Sequence, residues 1–380
     1  MIETKGRPIF DEGLQMFRES VRKLFERELV PNLDRYDEQG FVDRHFWLKC
    51  GEAGLLCPTV PEEYGGLGLD FRYNAVVMEE LHYAGSHAGL QIHSDVVAEY
   101  IIEYGTEEQK QRYLPSMVSG ECIGAIAMTE PGAGSDLKAI ATSAVKREGG
   151  YVVNGSKTYI TNGQNAGVII VVAKTDPSAG AKGVSLLLMD GDAPGLQRGR
   201  NLDKVGQHSA DTSELFFEDA IVPAGNLLGE EGRGFAYLMN QLPQERLSIA
   251  ITAQAAAQRA FDEAVAFVKE RKAFGKTIFD FQNTKFMLAE AKVELQVGWA
   301  HLDWALARIL KGELTTAEAS IAKLWHTEMQ GRVVDTAVQL HGGSGYMKEY
   351  MVSRLWSDAR VTRIYGGTSE IMKEVISRSI

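Results

Sequence analysis

The chain has little of what secreted, membrane-spanning and nucleic-acid-binding proteins need. Its 380 residues include three cysteines, Cys50, Cys57 and Cys122, with no CxxC pair, which argues against a disulfide framework and for reduced thiols. No apolar run is long enough to cross a bilayer, and the first residues show no signal peptide. Acidic residues outnumber basic ones by 51 to 40, so a surface that tracks a phosphate backbone is not expected. We therefore expect a cytoplasmic protein with no membrane span and no nucleic-acid partner.

A metal site also has little support, because the eight histidines are scattered without HExxH spacing or paired cysteines. What is present is ordinary for a globular protein: 44% hydrophobic and 24% charged residues. At roughly 150 residues per domain, the length suggests about two or three domains.

The apolar pattern divides the chain into three regions, which we predict as domains at residues 1–121, 122–232 and 233–380. The first region has helical spacing, as in Leu14, Phe17 and Val21, and predicts an all-α domain. The second contains short β-prone runs and predicts a small β domain, whereas the third returns to four long helical segments. We place those helices at residues 249–271, 278–310, 317–340 and 350–376, with an interruption expected at 354–363 before the last helix. Segregated blocks of this kind predict an α+β fold and not a doubly wound sheet.

Two local signals stand in the middle region. Asn154-Gly155, between β-prone flanks, predicts a two-residue hairpin turn. Residues 127–136 read AMTEPGAGSD and predict a strand end followed by a glycine-rich turn. Such a turn allows a ligand to approach the backbone closely, but an ordinary tight turn has the same composition. It is not a dinucleotide fingerprint, because Leu137 replaces the third glycine.

Five stretches, in order along the chain, resemble signatures of the acyl-CoA dehydrogenase family and are closest to its long-chain group. They are MTEPGAGSD at 128–136, KTYITNG at 157–163, ERKAFG at 270–275, QLHGG at 339–343 and IYGGT at 364–368. The resemblance implies a fold with an N-terminal all-α domain, a middle β-barrel-like domain and a C-terminal four-helix bundle. It also implies FAD as the cofactor.

The resemblance further implies contacts to FAD. Residues near the flavin ring are Ile126, Met128, Thr129, Ser135, Tyr159, which stands where many members have tryptophan, and Thr161; contacts at a site shared with a neighbouring subunit are Arg271, Phe274, Gln282, Gln339, Gly343 and Thr368. The residues alone leave other roles open. Arg271 could be a solvated charge at a helix end, and Phe274 a core aromatic.

The catalytic base departs from the commonest family pattern, in which a glutamate follows the tyrosine near the C-terminus. Here Gly366 follows Tyr365, and glycine has no side chain to accept a proton. The long-chain and isovaleryl-type members place the base elsewhere, on an element that LPQERL at 242–247 resembles. Glu245 is therefore the predicted base, although a surface Glu-Arg pair is the common alternative. The implied substrate contacts are Ser135, Arg246, Tyr365 and the backbone N–H of Gly366.

These resemblances imply α,β-dehydrogenation of a fatty acyl-CoA to the trans-2-enoyl-CoA, within fatty acid β-oxidation, and the resemblance to the long-chain group implies a long-chain substrate. Electrons are expected to pass to an electron-transferring flavoprotein, and the shared FAD contacts imply a homotetramer. Two alternatives stay open: an oxidase or flavin hydroxylase of the same fold, and a non-catalytic scaffold subunit. A plausible base at Glu245 favours dehydrogenation over hydroxylation.

Overall fold

The computed structural model describes Ile2 and residues 7–380. Its first third is helical, with elements α1 (Glu12–Glu28), α2 (Leu33–Gln39), α3 (Arg44–Glu52), α4 (Phe71–Tyr83), α5 (Ala98–Tyr104) and α6 (Glu107–Val118). A π-helical turn, Ile92–Val97, precedes α5 directly. Side chains fix several helix starts; Asp11 accepts from the N–H of Leu14, and Thr106 forms a capping box with Gln109.

The middle third is an eight-stranded sheet. Its strands are β1 (Ile123–Ala127), β2 (Ser143–Arg147), β3 (Gly150–Thr161), β4 (Ala166–Lys174), β5 (Val184–Asp190), β6 (Leu196–Asn201), β7 (Thr212–Pro223) and β8 (Leu227–Leu228). The order is β6-β7-β3-β2-β4-β5-β8, with β1 pairing parallel to β4. Strand β4 is buried along nearly its whole length, because sheet neighbours and both faces cover it.

The last third is a helical bundle built from α7 (Gly234–Glu270), α8 (Gln282–Ile309), α9 (Thr316–His341), α10 (Met351–Ala359) and α11 (Ser369–Ser377). A small hairpin, β9 (Lys272–Ala273) and β10 (Lys276–Thr277), separates α7 from α8. The three-region α+β fold implied by the sequence is confirmed. No helix in the described part of the chain is both long and apolar enough to cross a membrane.

Three local predictions differ from the structure. Asn154-Gly155 lies inside β3, and the hairpin turn falls earlier, between β2 and β3. Helix α7 begins at Gly234 and continues through Pro243, some turns before the expected start. The interruption expected at 354–363 falls later, because α10 continues to Ala359 and is separated from α11 by a 3-10 turn and two consecutive glycines.

One large core joins the three regions. Buried residues of the N-terminal helices, the π-helical turn, β4 and β5 form a continuous cluster with α7 and α8. Helix α7 contributes a run of small buried residues, including Ala253, Ala255 and Ala256, which lets α4, α8 and α9 pack closely around it. The long helix is therefore the central element around which the candidate site is built.

Candidate active site

The glycine-rich loop after β1 is anchored by a buried ion pair. Glu130 accepts from Lys157 Nζ at 2.8 Å and from the backbone N–H groups of Ala141 and Thr142 at 2.6 and 3.0 Å. Lys157, which is fully buried, also donates to the Met128 carbonyl at 3.0 Å. A buried charge with this many partners fixes the base of the loop.

The tip of the loop is open. A Cβ at Gly132 or Gly134 would meet no other atom within 4 Å, and Ser135 is exposed. Thr129, at the start of the loop, donates its hydroxyl to the Thr158 carbonyl at 2.5 Å, and its own carbonyl accepts from the Thr158 N–H at 2.9 Å. A fixed base with an open tip suits a ligand loop, although the tip also contains a tight turn.

Two residues at the end of β3 have left-handed backbone conformations. Tyr159 has φ 60° and Asn162 has φ 64°, a region that costs a non-glycine residue about 1–3 kcal/mol. The Asn162 amide donates to the carbonyls of Gly89 and Gly124, both at 3.0 Å, which holds this strand end in place. Tyr159 is 71% exposed, so the strained backbone presents an aromatic ring to solvent. Such strain motivates a functional hypothesis for the ring.

Glu245 lies on α7 and is partly buried. Its Oε1 accepts from the Tyr100 hydroxyl at 3.1 Å. Burial raises the pKa of Glu245 to about 7, and the Tyr100 hydrogen bond opposes that shift. On either side, Gln244 donates to the Asp95 carbonyl at 3.1 Å and Ser248 donates to the Asp95 carboxylate at 2.5 Å. A fixed carboxylate with a pKa near neutrality suits a general base.

The π-helical turn connects the base to the β domain. Asp95, which holds the Glu245 segment, lies in this turn, as does His93, whose Nδ1 accepts from the Gly124 N–H at 3.0 Å in β1. His93 Nε2 donates to the Met117 carbonyl at 3.0 Å, which fixes the ring tautomer. Ile126 lies in strand β1 and Met128 directly follows it, so one buried turn positions both the predicted flavin strand and the predicted base.

Gly366 and Gly367 form the turn before α11, with φ 65° and 97°. Arg246 Nε donates to the Gly366 carbonyl at 3.4 Å, and Lys323 Nζ donates to the Gly367 carbonyl at 2.7 Å. A Cβ at Gly366 would lie 2.3 Å from Ile249 Cδ1. Ile249 is four residues after Glu245 and therefore shares its helix face. The structure thus brings the predicted base and the vacant alternative to the same side of α7.

Tyr365 and Thr368 flank this turn. Burial raises the pKa of Tyr365 to about 12, while a hydrogen bond with Gln207 opposes the shift. The Gln207 backbone N–H donates to Asp358 on α10, so the middle-domain loop at 203–211 reaches the same region. Thr368 caps α11 by accepting from the Ile371 N–H at 3.3 Å.

The predicted contacts at the shared site lie elsewhere on the chain. Arg271 follows the end of α7, about 26 residues after Glu245, which at about 1.5 Å per residue is about 39 Å along the helix. Phe274, at the tip of the β9–β10 hairpin, is 95% exposed and has φ 53°. Gln282 is exposed at the first position of α8. These side chains therefore lie at the opposite end of α7 from Glu245 of their own chain.

Gln339 and Gly343 join this second group. Gln339 is about 16 residues beyond Lys323 on α9, or about 24 Å along the axis. Phe267 near the end of α7 stacks on His341 near the end of α9, with ring centroids 4.2 Å apart, so the two helix ends are neighbours. Five of the six predicted shared-site contacts therefore lie at this end of the bundle, whereas Thr368, predicted with them, lies beside the Gly366 turn at the start of α11.

The residues of both groups fit a flavin nucleotide. Gly132, Gly134 and Gly343 leave open space where a side chain would stand, so a ligand can approach the backbone. Tyr159 and Phe274 present large exposed rings that a planar group can cover. The Thr161 hydroxyl donates to no acceptor among the residues that the structure describes, which leaves it available.

Sequence reasoning missed three residues of the site. Tyr100 and Ile249 carry no sequence signal, because their roles depend on packing between α5, α7 and the Gly366 turn. Lys323 could have been found: it occurs at helical spacing among the buried Ala319, Ala322 and His326, where a lysine is unusual.

Comparison with known proteins gives matches to three family profiles along the chain. They are described as acyl-CoA dehydrogenase N-terminal domain at residues 11–121, middle domain at 125–220 and C-terminal domain at 232–380. The long-chain specific acyl-CoA dehydrogenase of Sus scrofa is 48% identical over 98% of this chain and 88% of its own length. The isovaleryl-CoA dehydrogenase of Solanum tuberosum is 37% identical over 98% and 91%.

Comparison with solved structures gives similar matches. An acyl-CoA dehydrogenase from Geobacillus kaustophilus is 51% identical, with a TM-score of 0.96 over 97% of this chain and 98% of that one. A chain in a structure of the electron transferring flavoprotein of Acidaminococcus fermentans is 37% identical, with a TM-score of 0.94 over 97% and 98%. A Mycobacterium smegmatis glutaryl-CoA dehydrogenase in complex with FADH2 is 26% identical, with a TM-score of 0.92 over 98% and 95%.

Proposed function

Because the chain belongs to the acyl-CoA dehydrogenase family, we propose that it oxidises long-chain fatty acyl-CoA thioesters to trans-2-enoyl-CoA in fatty acid β-oxidation. Membership makes the protein an acyl-CoA dehydrogenase that uses FAD. The observation that carries the assignment of the base is the position of Glu245: partly buried, hydrogen-bonded to Tyr100, and on the helix face that meets Gly366.

In this reaction Glu245 removes the α proton, and the electron pair of that C–H bond becomes part of the new Cα=Cβ double bond. FAD, when bound, supplies the acceptor for the hydride that leaves the β carbon. The raised pKa of Glu245 makes its carboxylate a stronger base than a solvated glutamate, and burial of the site keeps water from competing. Tyr100 holds the carboxylate in one orientation, which contributes to catalysis by positioning.

The α proton of a thioester is weakly acidic, so the carbonyl oxygen must be stabilised as negative charge develops on it. We assign this task in part to the Gly366 N–H. Among the residues that the structure describes, this N–H has no acceptor, and the left-handed turn holds it in a fixed direction. A preorganised backbone donor of this kind is worth about 10²- to 10³-fold in rate in other oxyanion holes.

The long-chain substrate is supported by the higher identity to long-chain relatives than to isovaleryl ones, 48% against 37%. We propose that electrons leave through an electron-transferring flavoprotein, supported by the Acidaminococcus fermentans neighbour and by the lack of any sequence resemblance to a nicotinamide site. Because all three cysteines are free, we place the enzyme in a reducing compartment, the cytoplasm.

We also propose a homotetramer. Arg271, Phe274 and Gln282 lie at or beyond the far end of α7, with Arg271 about 39 Å along the helix from Glu245, so we infer that they complete the FAD site of a second chain. The outer face of α8 supports close association, because Phe286, Val293 and Val297 are all more than half exposed there.

The test is anaerobic mixing of the purified yellow protein with straight-chain acyl-CoA thioesters of increasing length and with isovaleryl-CoA, monitored by flavin bleaching. We expect the fastest bleaching with long straight chains and slow reoxidation by oxygen. Rapid aerobic turnover that yields hydrogen peroxide would indicate an oxidase instead. A colourless protein, or a yellow one that no thioester bleaches, would favour a scaffold.

A further inference from the structure

Lys323 is a buried lysine that no step of the proposed reaction uses. Its side chain is 0% exposed, in the middle of α9. An isolated buried ammonium is costly, so its position requires an explanation. Burial, and to a lesser degree the nearby Arg246, lower its pKa to about 8.

The contacts of Lys323 lead to the glycine turn. Nζ donates to the Gly367 carbonyl at 2.7 Å, and this is its one hydrogen bond within the described residues. Arg246, also buried, donates to the preceding carbonyl, that of Gly366, and its second nitrogen donates to Ser320 on α9 at 3.1 Å. Two buried cations from two helices therefore hold consecutive carbonyls of a single turn.

This arrangement restrains the backbone that directly follows the free donor, and so limits how the Gly366 N–H can turn. When the carbonyls of Gly366 and Gly367 point toward α7 and α9, the two peptide planes that follow the Gly366 N–H are immobilised. Glycine has the widest conformational freedom of any residue, so two glycines in sequence would otherwise let the turn move. The short hydrogen bond from Lys323, at 2.7 Å, removes much of that freedom, and the longer one from Arg246, at 3.4 Å, adds to this restraint.

We propose that Lys323 is a positioning residue of the thioester site, which acts through the Gly366–Gly367 turn to aim the Gly366 N–H at the substrate carbonyl. The inference rests on the proposed function, because it assigns Lys323 to the same site. Lys323 does not touch the reacting atoms. Its effect should appear in the polarisation of the bound carbonyl and in the rate of α-proton removal, and much less in the affinity for the thioester.

The test uses Lys323→Met, which keeps the side-chain length and removes the donor. A matched control is Thr327→Val, one turn further along α9, where a buried hydroxyl bonds the Lys323 carbonyl but does not touch the turn. The probe is a non-oxidisable 3-thia-acyl-CoA labelled with ¹³C at the thioester carbonyl. Infrared difference spectra report the carbonyl stretch, and stopped-flow bleaching with a saturated acyl-CoA reports the rate.

For Lys323→Met we expect the carbonyl stretch to move toward its value in water and flavin reduction to slow by roughly 10-fold or more, while thioester affinity changes less than about threefold. Thr327→Val should match the wild type in both signals. A wild-type carbonyl stretch and rate in folded Lys323→Met would overturn the proposal, as would lost affinity without a spectral change.

Lys323→Gln serves if the methionine variant does not fold. Its shorter neutral amide should give intermediate values in both measurements, and wild-type values would again overturn the assignment. Failure of the proposed function itself is recognised separately in the wild type, which would then either bleach with none of the thioesters or turn over rapidly with oxygen.

Discussion

Glu245 and Gly366 meet on one face of α7, and only one of them has a side chain that can accept a proton. Ile249 fills the space into which a side chain at position 366 would project, with 2.3 Å between Ile249 Cδ1 and the added Cβ. The close contact involves the far end of a flexible side chain, so a second substitution can relieve it.

Glu245→Gln should keep flavin and thioester binding but slow anaerobic bleaching by roughly 10²- to 10⁴-fold, because the amide cannot accept the α proton. Adding Gly366→Glu should restore little, since the new Cβ meets Ile249 and the left-handed φ of 65° strains a non-glycine residue. Further addition of Ile249→Ala should restore more. Bleaching of Glu245→Gln at the wild-type rate would show that the base is another group.

The pH dependence of the reaction follows from the same carboxylate. As the proposed base, Glu245 acts when ionised, and burial raises its pKa to about 7, so the rate of flavin reduction should rise as pH increases through about 7 and then level off. The stability change has the opposite sign. The folded state holds this proton more tightly than the unfolded state, so the group destabilises the fold as pH rises through 7.

Glu245→Gln should therefore gain Tm relative to the wild type between about pH 5 and pH 8, measured on the flavin-loaded proteins. A difference in Tm that is constant across this range would mean that Glu245 titrates near its ordinary value in the folded enzyme.

At the scale of elements, sequence patterns predicted helix, strand and helix blocks correctly but misplaced events that depend on tertiary contacts. A proline in a helix interior, such as Pro243, usually breaks the helix and costs about 3 kcal/mol. Here α7 continues through it, with Leu238 and Leu247 buried on either side. Asn154-Gly155 has a strong turn preference, yet Asn154 bonds Asp219 on β7 and both residues stay within β3. Periodicity and propensity depend on residues that are neighbours in the sequence, so they do not predict either of these tertiary contacts.

Substitution of Gly155 tests whether tertiary contacts outweigh the local turn preference. It has φ 145°, and a Cβ there would lie 2.6 Å from Thr142 Oγ1 and 2.8 Å from Thr142 Cα. Gly149, in the actual hairpin turn, has φ 86° but open space around it. Gly149→Ala should cost about 1–2 kcal/mol from backbone strain alone, and Gly155→Ala distinctly more because the backbone of residue 142 must move. Equal losses in denaturant unfolding would contradict the close approach.

At the scale of the whole molecule, sequence motifs name candidate site residues but do not give their arrangement. Motifs identified Thr129, Arg271 and Gln339, but one sequence does not show that Arg271 lies about 39 Å along α7 from Glu245. The distance depends on a single uninterrupted helix, and the sequence prediction had started that helix late. Neither Tyr100 nor the role of Lys323 followed from a motif.

Mixed oligomers test the proposal that each FAD site is formed by residues of two chains. Arg271→Ala should lose FAD readily although it leaves Glu245 untouched, and Glu245→Gln should keep FAD but not reduce it. Hybrids formed by co-expression should contain some sites with both native residues, so activity should exceed that of both parents. Activity equal to the parental sum, in hybrids verified by mass, would show that each chain builds its own complete site.

The length of α7 has a further consequence for the kinds of change that the gene can accept. A helix turns about 100° per residue, so inserting or deleting one residue between Glu245 and Arg271 would swing everything beyond it by that angle. An insertion of seven residues, about two turns, would nearly restore direction but lengthen the rod by about 10.5 Å. Substitutions can therefore accumulate along α7 while its count of residues stays fixed, and scanning insertions should find this helix the least tolerant segment of the chain.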